Sequence, residues 1–283
     1  MTLQLNFSHE PGPTNRNGLP PVVILHGLFG SSRNWTSVAT ALAKLTEVYS
    51  IDQRNHGDSP HADTHTLADL REDLRAWLEQ HNVARPIVIG HSMGGMAAMA
   101  FALRYPEALS GLVVVDIAPR RYPPHHTQEF AGLSLDVSQC ASRADVDAQM
   151  KPIVPDPTVR QFLQMNLARR PDNQGYYWKI NVPALKAATH TDGLESAGDH
   201  ASGESNQTTN ANTNSSSSTY SGPTLFVRGG TSDYIRPEDT ATIENFFPRA
   251  QIHTIEGHGH WLHYTAMQEF LASVEKFLRT TVK

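Results

Sequence analysis

A serine between two glycines lies at the centre of residues 90–94, which read G-H-S-M-G. An apolar, β-branched run at 86–89 precedes this segment, and residues 96–103, rich in strong helix formers, follow it. A serine on a sharp turn between a buried strand and a helix forms a nucleophile elbow, which exposes its hydroxyl for attack on a carbonyl carbon. Glycines flank it because larger side chains would collide in so tight a turn. The pattern predicts that Ser92 is a nucleophile.

A base must remove the serine proton, and a third group must orient that base. In chains with this elbow the order is serine, then acid, then histidine. Residues 257–261 read G-H-G-H-W, directly after an apolar run that ends at Ile255. We therefore expect His260 to be the general base and His258 and His263 to be bystanders.

The three histidines at 258, 260 and 263 could also indicate a metal site. Their H-x-H-x-x-H spacing lacks the HExxH-type context of a catalytic zinc site. We therefore expect neither a metal ion nor a cofactor.

Acyl transfer also needs two backbone N–H donors for the oxyanion. One is expected from Met93, which follows the nucleophile. The other is expected from Leu28, because residues 26–30 read H-G-L-F-G at the end of another apolar run. Gly27 would permit a close approach, and His26 would brace the loop.

The acid has two candidates. Asp116 ends the apolar run 112–115, and Asp233 follows the run 224–227 within the segment G-G-T-S-D. Either residue satisfies the order serine, acid, histidine, so the residues alone leave the choice open.

Apolar runs separated by turns or helical patterns predict a mostly parallel, doubly wound α/β sheet. Five runs are expected to be buried strands, a sixth at 251–255 lies nearer an edge, and the alternating residues 1–7 suggest an edge strand. The five buried runs are 21–25, 47–51, 86–89, 112–115 and 224–227. Helical periodicity marks 66–80 and the terminal segment 267–278.

The alternation stops between about 117 and 221, a region with many prolines and helical patches such as 159–167 but no convincing strand. We predict a small helical cap at 117–221, inserted after strand six between core segments 1–116 and 222–283. Its last part, about 195–221, is dominated by Ser, Thr, Asn and Gly and is expected to be a mobile loop.

The bulk properties restrict the class of protein. A net charge of -5 gives no reason to expect nucleic acid or an anionic membrane as a partner, and the single Cys140 fits a reducing compartment. The N-terminal residues lack the pattern of a signal peptide, and no apolar run approaches the ~20 residues of a membrane helix. A cytoplasmic enzyme, monomeric or homodimeric, is expected.

Several motifs occur together in one order: residues 23–31, the D-Q-R-N-H-G-D-S segment at 52–59, the elbow, D-I-A-P at 116–119, G-G-T-S at 229–232 and G-H-W at 259–261. In these motifs and their order the chain resembles the small YbfF-type esterases and their mitochondrial abhydrolase relatives. The resemblance implies an α/β-hydrolase fold and hydrolysis of carboxylic esters with short to medium acyl chains. It also favours Asp116 as the acid, although Asp233 stands directly after Ser232. We expect Phe29, Ser232 and Trp261 to contact the substrate, a small-molecule ester.

Other readings use the same residues. A thioesterase, lactonase or amidase would share the serine, acid and histidine, whereas a non-catalytic hydrolase-like binding protein would usually lack one of them. The arginine pairs 120–121 and 169–170 could contact a carboxylate or phosphate of the substrate, or simply be solvated.

Overall fold

A computed structural model describes residues 3–14, 18–123, 126–172, 174–188, 194 and 219–281. The strands within these ranges are β1 (Phe7–Glu10), β2 (Val22–Leu25), β3 (Val48–Ile51), β4 (Ile87–His91), β5 (Gly111–Val115), β6 (Leu167–Arg169), β7 (Tyr176–Trp178), β8 (Thr224–Gly229) and β9 (Ala250–Ile255). The α-helices are α1 (Thr36–Leu42), α2 (Leu67–Gln80), α3 (Met93–Arg104), α4 (Thr127–Leu133), α5 (Arg143–Met150), α6 (Pro157–Leu163), α7 (Val182–Lys186), α8 (Thr240–Phe246), α9 (Leu262–Thr265) and α10 (Met267–Thr281).

Seven strands form one twisted sheet in the order β1-β3-β2-β4-β5-β8-β9. All neighbouring pairs are parallel except β1 and β3. The central strands β2, β4 and β5 are buried along their whole length, as expected of parallel strands covered on both faces. The predicted doubly wound, mostly parallel sheet is confirmed.

Helices cover both faces of the sheet. Alternate residues of one strand point to opposite faces, so Val23 of β2 packs in the layer formed by α2 and α3, while Val22 packs in the layer formed by α1 and α10. The two longest helices, α2 and α10, are amphipathic and turn their apolar faces to these layers. No helix in the described ranges has the combination of length and apolar content that a membrane span requires.

The predicted start of α2 has a clear local cause. The side chain of Thr66 accepts the N–H of Asp69 at 3.1 Å, and the carboxylate of Asp69 accepts the N–H of Thr66 at 2.9 Å. This reciprocal capping box satisfies donors that the first helical turn leaves unpaired.

The segment between β5 and β8 carries α4, α5, α6 and α7, and we refer to it as the cap. Counted along the described residues of this chain, the cap follows the fifth strand. It also contains the two-stranded hairpin β6–β7, so the expectation that it has no strand is wrong. The predicted helical patch 159–167 is helical up to residue 166, since a 3-10 helix at Gln164–Asn166 follows α6, and the chain enters β6 at Leu167.

Two further expectations need correction. The N-terminal edge strand is β1, at Phe7–Glu10, and not residues 1–7. The mobile loop predicted at 195–221 does not extend to Tyr220, because Tyr220 is buried and its N–H donates to the carbonyl of Phe246 at 2.9 Å. Residues 195–218, where a mobile loop was predicted, lie outside the described residues.

The layer under α10 generates a stability prediction. Phe270 is fully buried and packs edge-on against Trp35, with ring centroids 6.1 Å apart. The change Phe270→Ala should lower the free energy of unfolding by about 3–5 kcal/mol, because it leaves a cavity in a close-packed layer. Urea denaturation measures this, with Tyr264→Ala as the control, since Tyr264 is 77% exposed. A Phe270→Ala loss no larger than that of the control would contradict the packing described.

Candidate active site

Ser92 lies where β4 ends and α3 begins. Its backbone has φ 52° and ψ −119°, a strained conformation for a residue with a side chain. A Cβ at Gly90 would lie 2.3 Å from the carbonyl oxygen of Gly94, and a Cβ at Gly94 would lie 2.4 Å from that of Leu25. Both glycines are therefore required for the sharp turn predicted from sequence.

The imidazole of His260 contacts the carboxylate of Asp116. Nδ1 of His260 lies 2.8 Å from Oδ2 of Asp116. The side chain of Asp116 is completely buried, and it also accepts the N–H of Gly229 at 2.9 Å and the hydroxyl of Ser232 at 2.5 Å. A buried carboxylate needs such donors, because removing it from water is costly. The carboxylate thus holds the Nδ1 edge of the imidazole in place.

The other candidate acid is not brought to the histidine. Asp233 is exposed, and its backbone carbonyl accepts from Arg120 and Arg236. The position of Ser232 also differs from the prediction that this residue contacts the substrate. Its hydroxyl is directed to Asp116, and it is not among the residues that line the cavity described below.

The loop after β2 approaches Ser92 closely. A Cβ at Gly27 would lie 2.7 Å from Nδ1 of His91 and 3.2 Å from Cβ of Ser92, so a larger residue would displace these side chains. Within this loop the N–H of Phe29 donates to Nε2 of His56 at 3.3 Å and the N–H of Gly30 donates to the carbonyl of Gly27 at 3.0 Å. Leu28, the predicted oxyanion donor, lines the cavity beside Ser92.

His26 braces this loop as expected. Its Nε2 accepts the N–H of Gln53 at 3.0 Å, which leaves Nδ1 to donate to the carbonyl of Gly27 at 2.8 Å. Burial lowers the pKa of His26, so the imidazole stays neutral and can accept and donate at once. The loop and the segment that follows β3 are thereby held together.

The cap holds the same loop from the opposite side. Nδ2 of the buried Asn166 donates to the carbonyl of Phe29 at 2.8 Å, and the ring of Phe29 packs edge-on against Phe130 of α4. Phe29 has a positive φ of 63°. Its N–H is held by the core and its carbonyl by the cap, so the strained backbone is fixed at both ends.

A cavity of about 360 Å³ lies between the cap and the carboxyl ends of the strands. The core supplies Ser92, His260 and Trp261 to its wall, together with the loop after β2. Glu129 of α4 and Phe162 of α6 line it from the cap. The predicted contact residues Phe29 and Trp261 are both in this wall.

The arginine pairs are placed elsewhere. Arg120 forms an ion pair with Asp239 at 3.1 Å and lies over the ring of Tyr122. Arg169 lies over the ring of Tyr176 in the cap hairpin. None of the four arginines lines the cavity, so the suggested contact of these residues with a substrate carboxylate or phosphate is not supported.

A sequence profile described as the alpha/beta hydrolase fold matches residues 20–266, most of this chain. The chain belongs to the α/β hydrolase fold family. The esterase YbfF of Escherichia coli is 30% identical to this hydrolase over 281 residues, which cover 98% of this chain and 99% of YbfF. The resemblance inferred from the motifs is confirmed.

Two other similar proteins agree. The sn-1-specific diacylglycerol lipase ABHD11 of Mus musculus is 35% identical over 269 residues, covering 92% of this hydrolase and 81% of the lipase. Among solved structures, a marine microorganism esterase superposes with a TM-score of 0.84 and 34% identity, covering 98% of this chain and 100% of the esterase. These relatives place the chain among α/β hydrolases of the esterase and lipase type.

Sequence reasoning missed several residues around the histidine of this hydrolase. The ring of Tyr234 stacks on His260, with centroids 3.9 Å apart and an interplanar angle of 19°. The hydroxyl of Tyr122 donates to the carbonyl of Tyr234 at 2.6 Å and so fixes that loop. Burial raises the pKa of Tyr234 to about 12, so its phenol stays uncharged. A single tyrosine beside Asp233 carries no periodic signal that could have revealed this role.

The three clustered histidines have separate surroundings in the hydrolase. Nδ1 of His258 is bonded to the hydroxyl of Thr265 at 2.9 Å, and His260 contacts Asp116. The ring of His263 stacks on Trp35 at 4.4 Å. In the described part of the chain no group of three or more His, Cys, Asp or Glu side chains is arranged to hold a metal ion.

His263 generates a prediction on acid stability. Burial lowers its pKa from 6.5 to about 3. The unfolded imidazole therefore binds a proton at a pH where the folded one does not, so this contribution to stability is complete above about pH 6.5 and is lost as the pH falls toward 3. The change His263→Phe keeps the stack on Trp35 and should reduce the slope of unfolding free energy between pH 5.5 and 4 by about 1.4 kcal/mol per pH unit.

Urea denaturation across that pH range measures the slope. The matched control is His253→Phe, because His253 is exposed on the edge strand β9. The control should keep the wild-type slope. If the two variants show the same pH dependence, the buried, neutral state of His263 is wrong.

Proposed function

We propose that this hydrolase cleaves carboxylic esters through an acyl-enzyme on Ser92, with His260 as general base and Asp116 as the acid that orients it. The contact of 2.8 Å between His260 Nδ1 and the buried Asp116 carboxylate carries the proposal. With Nδ1 engaged as a donor, Nε2 of His260 is the nitrogen that accepts a proton. Both His260 and Ser92 line the same cavity, beneath the cap.

The reaction proceeds in two steps. Oγ of Ser92 attacks the ester carbonyl carbon while His260 takes its proton, and the proton then passes to the leaving alcohol as the C–O bond breaks. A water molecule next attacks the acyl-enzyme and gives a proton to His260, which returns it to Ser92 as the carboxylic acid leaves. The carboxylate of Asp116 stabilises the imidazolium that forms in each step.

Two backbone N–H groups stabilise the oxyanion in this proposal. Met93 is the first residue of α3, where an N–H has no acceptor within the helix. Leu28 lies in the cavity wall. The N–H groups of the next two residues, Phe29 and Gly30, are already bonded within the protein, which favours Leu28 as the donor from this loop. Donors fixed before the reaction cost no reorganisation when charge develops.

The cavity favours esters of short to medium acyl chains. Its volume of about 360 Å³ lies at the lower end of the range for small-molecule sites, and aromatic side chains make up much of its wall. The relatives named as an esterase and as a diacylglycerol lipase support ester bonds as the substrate class. A thioesterase, lactonase or amidase reaction would use the same residues, but no contact in the cavity favours one of them.

Replacing the nucleophile gives the most direct test. The change Ser92→Ala should abolish hydrolysis of p-nitrophenyl acetate and butyrate and also labelling by a fluorophosphonate probe, because both need the Ser92 hydroxyl. The partly exposed Ser273 on α10 provides the control variant Ser273→Ala, which should be labelled like the wild type. Persistent labelling of the Ser92→Ala protein would contradict the assignment.

The acid is tested by comparing Asp116→Asn with Asp233→Asn. Loss of the acid in a serine hydrolase lowers the rate by about four orders of magnitude, because the histidine is no longer held in the correct tautomer. We expect a fall of this size in kcat for Asp116→Asn and a change of less than about tenfold for Asp233→Asn. The reverse ranking of the two variants would assign the role to Asp233.

A further inference from the structure

The cavity beneath the cap has an uneven charge. Glu129 is the one Asp or Glu side chain in its wall, and no lysine or arginine among the described residues lines it. The remaining ionisable groups are Tyr234 and five histidines: His26, His91, His126, His260 and His263.

Most of these histidines provide no positive charge. Burial lowers the pKa of His26 and of His263, and it lowers that of His91 well below its usual value, so all three stay neutral. His126 lies closest to the acid, with Nδ1 3.9 Å from an oxygen of Glu129. His126 and the catalytic His260 are the two remaining histidines of the wall.

The cations near the cavity are engaged with other carboxylates. Arg33, next to the wall residue Asn34, pairs with Asp58 at 3.4 Å, and Lys179 of the cap contacts the same carboxylate. Arg160 of α6 pairs with Asp147 at 2.8 Å.

Glu129 also acts close to the reacting groups. Its charge contributes to the raised pKa of Tyr234, whose ring stacks on His260. A negative charge in a partly buried, largely aromatic wall is screened less than one in water, and the side chain of Glu129 is 25% exposed. A second negative charge entering with the substrate would lose hydration and meet repulsion from Glu129, and no lysine or arginine of the described residues lines the wall to compensate it.

We infer that Glu129 makes the site selective for esters whose buried part carries no negative charge. This inference rests on the ester hydrolysis proposed above and adds the charge of the substrate to it. Glu129 is thus a specificity-determining residue that the cap contributes, and half-esters of dicarboxylic acids are poor substrates.

Two matched pairs of esters place the charge on either side of the reacting bond. On the acyl side, p-nitrophenyl pentanoate is compared with the anionic mono-p-nitrophenyl glutarate. On the alcohol side, methyl 4-acetoxybenzoate is compared with the anionic 4-acetoxybenzoate. At pH 8 and low salt, the wild type should prefer the neutral member by about tenfold or more in kcat/KM in at least one pair.

The change Glu129→Gln keeps the size of the side chain and removes its charge. It should raise kcat/KM for the anionic member, relative to that for the neutral member of the same pair, by about tenfold. Glu107→Gln is the matched control, because Glu107 is exposed and precedes the amino end of β5, whereas Ser92 follows the carboxyl end of β4. It should leave both ratios unchanged.

Each outcome decides something different. Equal rates for neutral and anionic esters, or a ratio that Glu129→Gln does not move, would overturn the selectivity while leaving ester hydrolysis intact. Failure of the wild type to turn over any of the four esters would contradict the proposed function itself. If Glu129→Gln does not fold, the wild type decides alone: raising NaCl from 0.05 to 0.5 M should increase the relative rate of the anionic ester, and a flat response contradicts the inference.

Discussion

The carboxylate of Asp116 is the charge around which the active-site end of the sheet is arranged. It is completely buried at the end of β5, and its hydrogen-bond donors come from β8, from the loop that follows β8 and from the loop that follows β9. A buried carboxylate without donors would be strongly destabilising, so the ends of these strands must lie within a few ångströms of one another. The close approach of Gly229 to the carbonyl of Gly259 follows from this requirement, since a Cβ there would lie 2.6 Å away.

Patterns confined to one short segment were sufficient to predict much of the site. The turn around Ser92 depends on glycines that are neighbours in sequence, and the apolar runs that form the sheet are continuous, so both could be found before the fold was known. The choice between Asp116 and Asp233 was different. Both follow a strand, and the strands are neighbours in the sheet, so only the directions of the two side chains distinguish a buried carboxylate from an exposed one.

The residues that sequence reasoning missed share a physical reason. Asn166 and Tyr234 act through contacts with residues distant in the chain, and such contacts leave no periodic trace. The hairpin β6–β7 was missed because strands of three residues are too short to show alternation. The cap could be outlined by its prolines and helical patches, but its contacts with Phe29 could not be predicted from them.

The cap leaves the sheet after β5 and returns at β8, and these two strands are hydrogen-bonded neighbours with Leu112 opposite Thr224. An excursion of this kind starts and finishes at adjacent positions, so its length and sequence are free to vary without breaking any ladder of the sheet. The cap is in this sense an exchangeable module. Grafting a different segment between Asp116 and β8 would change which molecules the enzyme accepts while the serine, histidine and buried aspartate keep their places.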